Sequence, residues 1–283
     1  MGLSIENYNT KIKNTWCPGC GNFGIHIGLK QALVDLKISP SEVVITFDIG
    51  CNGNGVDDID GYRFKGLHGR SIALACGSHL ANRKMTVIAD IGDGGCLHEG
   101  VEHLIHGIRS NYDITVLIHN NQNFALTTGQ ATATTKEGKK MYALPDGKPE
   151  GDINIGELVL SLNPTFFARA YSGDPKQLTE IVKKGIKHKG FSVIEIMQLC
   201  PTYNPQSNGQ WFKDRIKETT PKSTISEAVK CVKDTESIYT GVIYQNISRV
   251  DFSSKLENRK RIKTELVQEV KQGNIKNILS KYQ

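Results

Sequence analysis

Met85-Thr86-Val87-Ile88-Ala89-Asp90-Ile91-Gly92-Asp93-Gly94-Gly95 is the stretch on which the fold turns. Met85–Ala89 is a short run with no apolar/polar alternation, the pattern of a strand covered on both faces. The run ends on Asp-Gly-Gly, a strong turn signal, and a helical pattern follows over 97–109. The same pattern recurs along the chain. Val43-Val44-Ile45-Thr46-Phe47, Ile114-Thr115-Val116-Leu117-Ile118 and Phe191-Ser192-Val193-Ile194-Glu195-Ile196 read as further buried strands. Helical patterns fit over 22–36, 71–81 and 175–188. Apolar strands alternating with helices predict an α/β fold, a mostly parallel sheet with helices on both faces.

The 283 residues suit one large domain or two small ones, and 38% hydrophobic with 23% charged residues is the composition of a folded soluble protein. No apolar stretch approaches the roughly 20 residues of a membrane-spanning helix, so no membrane partner is expected. Met1–Thr10 is polar and lacks the apolar core of a secretory signal, and a cytoplasmic location is expected. The formal charge of +6 is concentrated in Lys255, Arg259, Lys260, Arg261 and Lys263. Without interleaved aromatics this reads as a solvated helix face; an acidic protein is a better second reading than nucleic acid. The expected division is an α/β domain over 1–200 and a C-terminal extension over 201–283 packed on the same domain. Residues 127–153 read as a long functional loop. The strand rhythm stops beyond Pro201, 201–221 looks irregular, and 253–282 looks helical and amphipathic.

Two turns at the carboxyl ends of adjacent predicted strands carry the chemistry, because ligands of open α/β sheets bind at that edge. The first is Gly92-Asp93-Gly94-Gly95 and the second Asn120-Asn121-Gln122-Asn123. Asp93 and Asn121 offer hard oxygen ligands of the kind Mg²⁺ takes beside phosphate oxygens. Gly94 and Gly95 leave N–H groups open at a helix start, where a diphosphate is favoured. Either turn alone would pass as an ordinary Asx or Asp-Gly turn. One helix and one strand fill the interval between them, which puts them on neighbouring strands.

Seven cysteines, an odd number in a chain expected to be cytoplasmic, argue for metal or redox chemistry over disulfides. Cys17-Pro18-Gly19-Cys20 pairs two of them at ligand spacing; Cys51 and Cys200 follow predicted strands and fall near the same sheet edge. Four thiolates suit an iron–sulfur cluster or a structural Zn²⁺ site. A thioredoxin-like dithiol and plain core cysteines are the other readings. Spacing alone does not separate zinc from iron.

Longer motifs add a resemblance. Trp16-Cys17-Pro18-Gly19-Cys20-Gly21-Asn22-Phe23-Gly24, Asp48-Ile49-Gly50-Cys51, Leu67-His68-Gly69-Arg70 and Pro201-Thr202-Tyr203-Asn204 accompany the Gly-Asp-Gly and Asn-Asn turns. Over about residues 14–215 the chain resembles the β subunits of thiamine diphosphate-dependent 2-oxoacid:ferredoxin oxidoreductases. The resemblance implies a thiamine diphosphate-binding type of fold. It implies oxidative decarboxylation of a 2-oxoacid with coenzyme A to acyl-CoA and CO₂, with electrons passing through a 4Fe–4S cluster to ferredoxin. It implies Asp93, Asn121 and the backbone carbonyl of Asn123 as Mg²⁺ ligands, and Cys17, Cys20, Cys51 and Cys200 as cluster ligands. Gly92, Gly94, Gly95, Cys51 and His68 would contact the cofactor, with His68 and Arg70 as its polar neighbours. Cys76, Cys96 and Cys231 match no ligand position. The glutamate that activates the cofactor would sit on a pyrimidine-binding α (or fused γα) partner subunit, making this chain half an active site. Asn54 departs from the basic residue that relatives often carry there, which leaves Arg63, Lys65 or a partner residue to meet the substrate carboxylate. Two other readings are a non-redox thiamine diphosphate-dependent decarboxylase chain with a structural zinc site of four cysteines, and an iron–sulfur electron-transfer module without catalysis.

Overall fold

Each apolar run becomes a strand whose side chains are buried above and below the sheet. The computed structural model describes residues 2–259, 261–270 and 279–281. In chain order, α1 (Gly21–Asp35) precedes β1 (Val43–Phe47), β2 (Tyr62–Lys65), α2 (Ser71–Ala81), β3 (Thr86–Gly92), α3 (Val101–Ser110) and β4 (Ile114–Asn120). The long loop then leads to α4 (Ile155–Ser161), β5 (Phe166–Tyr171), α5 (Pro175–Lys187) and β6 (Phe191–Met197). The remaining elements are α6 (Gly209–Lys213), β7 (Ile216–Glu218), α7 (Ile225–Lys233), β8 (Ile238–Gln245) and α8 (Leu266–Glu269).

One eight-stranded sheet runs in the order β2-β1-β3-β4-β6-β5-β8-β7, parallel except where β8 meets β5. β4 shows how it is held: Val116 and Ile118 face a core shared with Ile72, Leu104 and Val159, while Leu117 faces Leu29, Ile45 and Ile194. Helices α1 and α5 pack together over the second of these cores, and α2, α3, α4 and α7 cover the first. Such two-sided burial is what uniformly apolar strands require.

Several elements differ from the sequence expectation. The 97–109 helix divides into a π-helical turn, Gly95–Glu99, and α3, with the break at Gly100. β5 escapes a reading of apolar runs because Arg169 interrupts it. Arg169 stands in register with Glu195 of β6, and the two buried side chains pair at 2.8 Å. Past Pro201 the chain adds β7, α7 and β8 to the sheet edge. Within 253–282 the described residues form 3-10 turns at Ser253–Lys255 and Glu257–Arg259 and the four-residue α8; Lys260, 271–278 and 282–283 lie outside the described residues. Arg259 of the basic cluster pairs with Glu269, so part of that charge is answered within the extension.

Asn111 ties the extension to the sheet. It ends α3 in the left-handed conformation, φ 63°, and is fully buried. Its Oδ1 accepts from Thr165 Oγ1 at 2.7 Å and Phe191 N at 2.9 Å, and its Nδ2 donates to the carbonyls of Arg249 and Val250. Asn111→Ala strands buried partners on both sides, and a loss of about 3–5 kcal/mol of unfolding free energy is expected in urea titrations. Asn111→Gly should lose about 1 kcal/mol less, because glycine accepts the left-handed backbone.

Candidate active site: two adjoining cavities

Parallel register brings the loops together. Phe47 pairs with Asp90, Gly92 with His119, and Asn120 with Met197, so β1, β3, β4 and β6 end side by side. The segments that follow them line a cleft of about 550 Å³. Gly92, Asp93, Gly94 and Gly95 line it from β3, Asn121 and Asn123 from β4, and Cys51 from β1, with His68 on the rim.

Asp93 is buried, and its Oδ2 accepts from the hydroxyls of Thr132 at 2.7 Å and Thr134 at 2.5 Å. Burial lifts its carboxyl to about 6, with the two hydroxyls pulling the other way. Asn121 Oδ1 accepts from Asn123 N at 3.0 Å, and Asn123 Nδ2 donates to the Asn121 carbonyl at 2.8 Å, which locks the second turn. Among the described residues no lysine or arginine lines this cleft. A buried carboxylate whose partners are neutral hydroxyls and backbone N–H groups is under-neutralised, and a diphosphate brought beside it would add negative charge. The donor set therefore fits an oxygen-seeking divalent cation, with Asp93, Asn121 and Asn123 able to supply ligands.

Close approach explains the glycines. A methyl group on Gly95 would lie 1.8 Å from Asp48 Oδ2, so no side chain fits between the turn and β1. Asp48 is itself buried; its Oδ1 accepts from Gly69 N at 2.6 Å, fixing the Leu67–Arg70 loop, and its Oδ2 has no protein partner. Within that loop His68 contacts Glu99 at 2.9 Å and leans on Phe124. Arg70 behaves differently from its sequence expectation. Its guanidinium binds the Glu99 carbonyl and the Glu102 carboxylate, half-exposed, and it is not among the residues lining the cleft.

A second cavity abuts the first. Cys17, Cys20, Cys51 and Cys200 all line it, and Cys51, Asn121 and Gln198 line both. The Cys-x-x-Cys turn is stitched to the end of β6 by Gly21 N donating to the Leu199 carbonyl at 2.9 Å. Gly21 allows this because a methyl group there would stand 2.8 Å from Leu199 N and from Gln198 Cγ. Cys51 is brought in by Trp16, whose indole N–H donates to the Cys51 carbonyl at 2.6 Å. Burial first, then the neighbouring thiols, push the Cys51 thiol up to about 12. Burial likewise pushes Cys20 up to about 11, the opposite of an activated dithiol. Of the other cysteines, Cys96 and Cys231 are buried in the α2/α3 core and Cys76 packs against it.

At the outer side of the thiol cavity Lys65 Nζ donates to Asn54 Oδ1 at 2.9 Å. Arg63 turns away, donating to the Ile59 carbonyl. The neighbouring acidic segment is partly neutralised. Burial opposes ionisation of Asp58, but His26 at 3.1 Å and Lys30 at 2.9 Å hold its carboxyl far below the ordinary range.

Sequence reasoning passed over Thr132, Thr134, His119 and Gln198. The threonines lie in the loop singled out as functional, and a hydroxyl cluster in a Thr-rich loop was the available signal. His119 is the penultimate residue of β4 and Gln198 directly follows β6, and only the sheet register reveals that both reach Asn22.

Residues 48–196 match the family profile of the thiamine pyrophosphate enzyme C-terminal TPP-binding domain, and 200–261 that of the C-terminal part of the pyruvate ferredoxin oxidoreductase β chain. The strand-end cleft is thus the cleft of a thiamine diphosphate-binding domain. The 2-oxoacid:ferredoxin oxidoreductase β subunit of Saccharolobus solfataricus is 43% identical over 217 residues, covering 76% of this chain and 69% of that one. A second such β subunit, from Aeropyrum pernix, is 34% identical, covering 91% and 88%. The solved 2-oxoglutarate:ferredoxin oxidoreductase from Magnetococcus marinus, with 2-oxoglutarate, coenzyme A and succinyl-CoA bound, superposes with a TM-score of 0.88 at 27% identity over 99% of this chain and 96% of that one. The chain belongs to the β subunits of 2-oxoacid:ferredoxin oxidoreductases, an oxidoreductase family.

The Asp93 environment makes a pH prediction. A carboxyl raised to about 6 favours the metal-free fold at low pH and withdraws that support as pH rises through about 6, where the charge must be buried unpaired. A cation relieves that charge. Any rise in Tm on adding Mg²⁺ should therefore be larger at pH 7.5 than at pH 5, and Asp93→Asn should remove most of that difference in thermal unfolding.

Proposed function

We propose that this chain holds thiamine diphosphate, Mg²⁺ and one 4Fe–4S cluster in a cytoplasmic enzyme. The reaction is the coenzyme A-dependent oxidation of a 2-oxoacid to acyl-CoA and CO₂, releasing two electrons and a proton. The observation that carries the reading is the shared wall between cleft and thiol cavity, through Cys51, Asn121 and Gln198. Four thiols line one cavity, yet among the described residues no three His, Cys, Asp or Glu side chains come close enough to share a single metal ion. A tetrahedral zinc would hold all four sulfurs about 2.3 Å from one centre. A cluster carries each thiolate on a different iron and does not need the four sulfurs to share one centre.

When bound, the thiazolium is an electron sink for the carbon that loses CO₂, and the cluster carries electrons toward ferredoxin. The chain's own residues do the positioning. Asp93, Asn121 and the Asn123 carbonyl anchor the cation, and the Gly94–Gly95 backbone receives the diphosphate. Phe124 narrows the cleft beside the glycines. Lys65, held by Asn54 on the wall of the thiol cavity, meets the substrate carboxylate. Among the described residues no glutamate lines the cleft, and Tyr62, Phe64 and Leu67, which lead up to His68 in the chain, are exposed apolar side chains, which supports closure of the site by a pyrimidine-binding α or γα subunit. Among the described residues no helix is long and apolar enough to cross a membrane, and all seven cysteines are free thiols, which supports a reducing compartment.

The test is anaerobic co-purification with the partner subunit followed by a 2-oxoacid panel. The complex should reduce ferredoxin in a coenzyme A-dependent reaction and contain about four iron atoms per chain; Cys200→Ala should lose most of that iron. Zinc in place of iron, or oxoacid oxidation by this chain alone, would overturn the reading. Lys65→Ala should raise KM for the oxoacid about fivefold with kcat little changed, a modest effect because the ammonium is solvent-exposed.

A further inference from the structure

A file of buried polar side chains runs beneath both cavities. Asp90 Oδ2 lies 3.0 Å from His119 Nε2, and His119 Nδ1 lies 3.0 Å from Asn22 Oδ1. Asn22 Oδ1 also accepts from Gln198 Nε2 at 2.6 Å. The same Gln198 nitrogen lies 3.9 Å from Cys20 Sγ. All four of Asp90, His119, Asn22 and Gln198 are at most 3% exposed. The Gln198 backbone N donates to the Asn120 carbonyl at 3.0 Å, and its side chain lies so close to Gly21 that a methyl group there would stand 2.8 Å from its Cγ. Two atoms of the file, Gln198 Oε1 and Asn22 Nδ2, are buried with no protein partner. Nothing in the fold explains spending two incompletely satisfied amides here, since a leucine would fill the same space without an unpaired polar atom.

We propose that Gln198 is a positioning residue that sets the electron affinity of the cluster by presenting its amide N–H to the Cys20 sulfur, with Asn22 and, behind it, His119 and Asp90 holding that amide in place. The inference rests on the cluster reading above. An N–H aimed at a ligand sulfur withdraws negative charge and stabilises the reduced cluster, raising its potential. Because Gln198 also walls the cofactor cleft, the residue that tunes the acceptor is in contact with the space where the electrons originate.

The test is an EPR-monitored redox titration of the intact anaerobic complex, with iron content and Tm recorded for every variant. Gln198→Leu should keep its iron and shift the cluster potential downward. Gln198→Glu, titrated at pH 9 so that the buried carboxyl is ionised beside the sulfur, should shift it further down, and Asn22→Ala should shift it the same way by less. Wild-type potentials in Gln198→Leu and Gln198→Glu with iron intact would overturn the proposal. If Gln198→Leu loses the cluster, the potential of Gln198→Glu decides. Absence of an iron–sulfur signal in the wild-type complex would instead sink the cluster reading itself.

Discussion

Parallel hydrogen bonding between β1, β3, β4 and β6 is the constraint from which the site follows. Because the strands run the same way and end in register, the peptide after each one emerges at the same edge. That edge receives Cys51, Asp93, Asn121 and Cys200 from segments up to 149 residues apart in sequence. A slip of one residue between β3 and β4 would separate Asp93 from Asn121 and turn the strands' core-facing side chains over. The two apolar cores on either face of the sheet oppose such a slip, so packing energy far from the site maintains the geometry within it.

The edge also distributes charge unevenly. Outside the cofactor cleft, charges removed from water are answered in place: Arg169 meets Glu195 across β5 and β6, and Asp58 meets Lys30 and His26. Inside the cleft the pattern reverses. Among the described residues Asp93 receives only neutral donors, the hydroxyls of Thr132 and Thr134 and backbone N–H groups, and Asp48 leaves one carboxylate oxygen unpaired. Buried carboxylates without cations are costly, and they persist where a function compensates for them. Cys20 and Cys51 follow the same logic, held protonated by burial until something binds them as thiolates.

The sheet's far edge completes the core without entering the site. β8 runs antiparallel against β5, and α7 packs on α4, so the segment beyond Pro201 adds cover to the first core. The outermost strand, β7, is three residues long and has no buried residue, as expected at a sheet edge.

The local pattern of this sequence determined the strands β1, β3, β4 and β6, the helices between them and the turns at their ends. Each of those signals is carried by consecutive residues: an apolar run, a 3.6-residue periodicity, or an Asp-Gly or Asn-Asn pair. Cysteine identity likewise narrowed the chemistry before any geometry was known. What tertiary structure alone decided is adjacency. Strand order made β4 neighbour both β3 and β6, which is how Thr132 and Thr134 find Asp93 and how Gln198 comes to lie between two cavities. Arg169 disguised β5, because its buried charge is acceptable only beside Glu195, and that pairing exists only across strands. Arg70 was drawn to Glu99 and Glu102 by a helix that the motif around it does not contain. Local sequence encodes what a segment prefers; which side chains meet depends on long-range register, and no window of consecutive residues contains it.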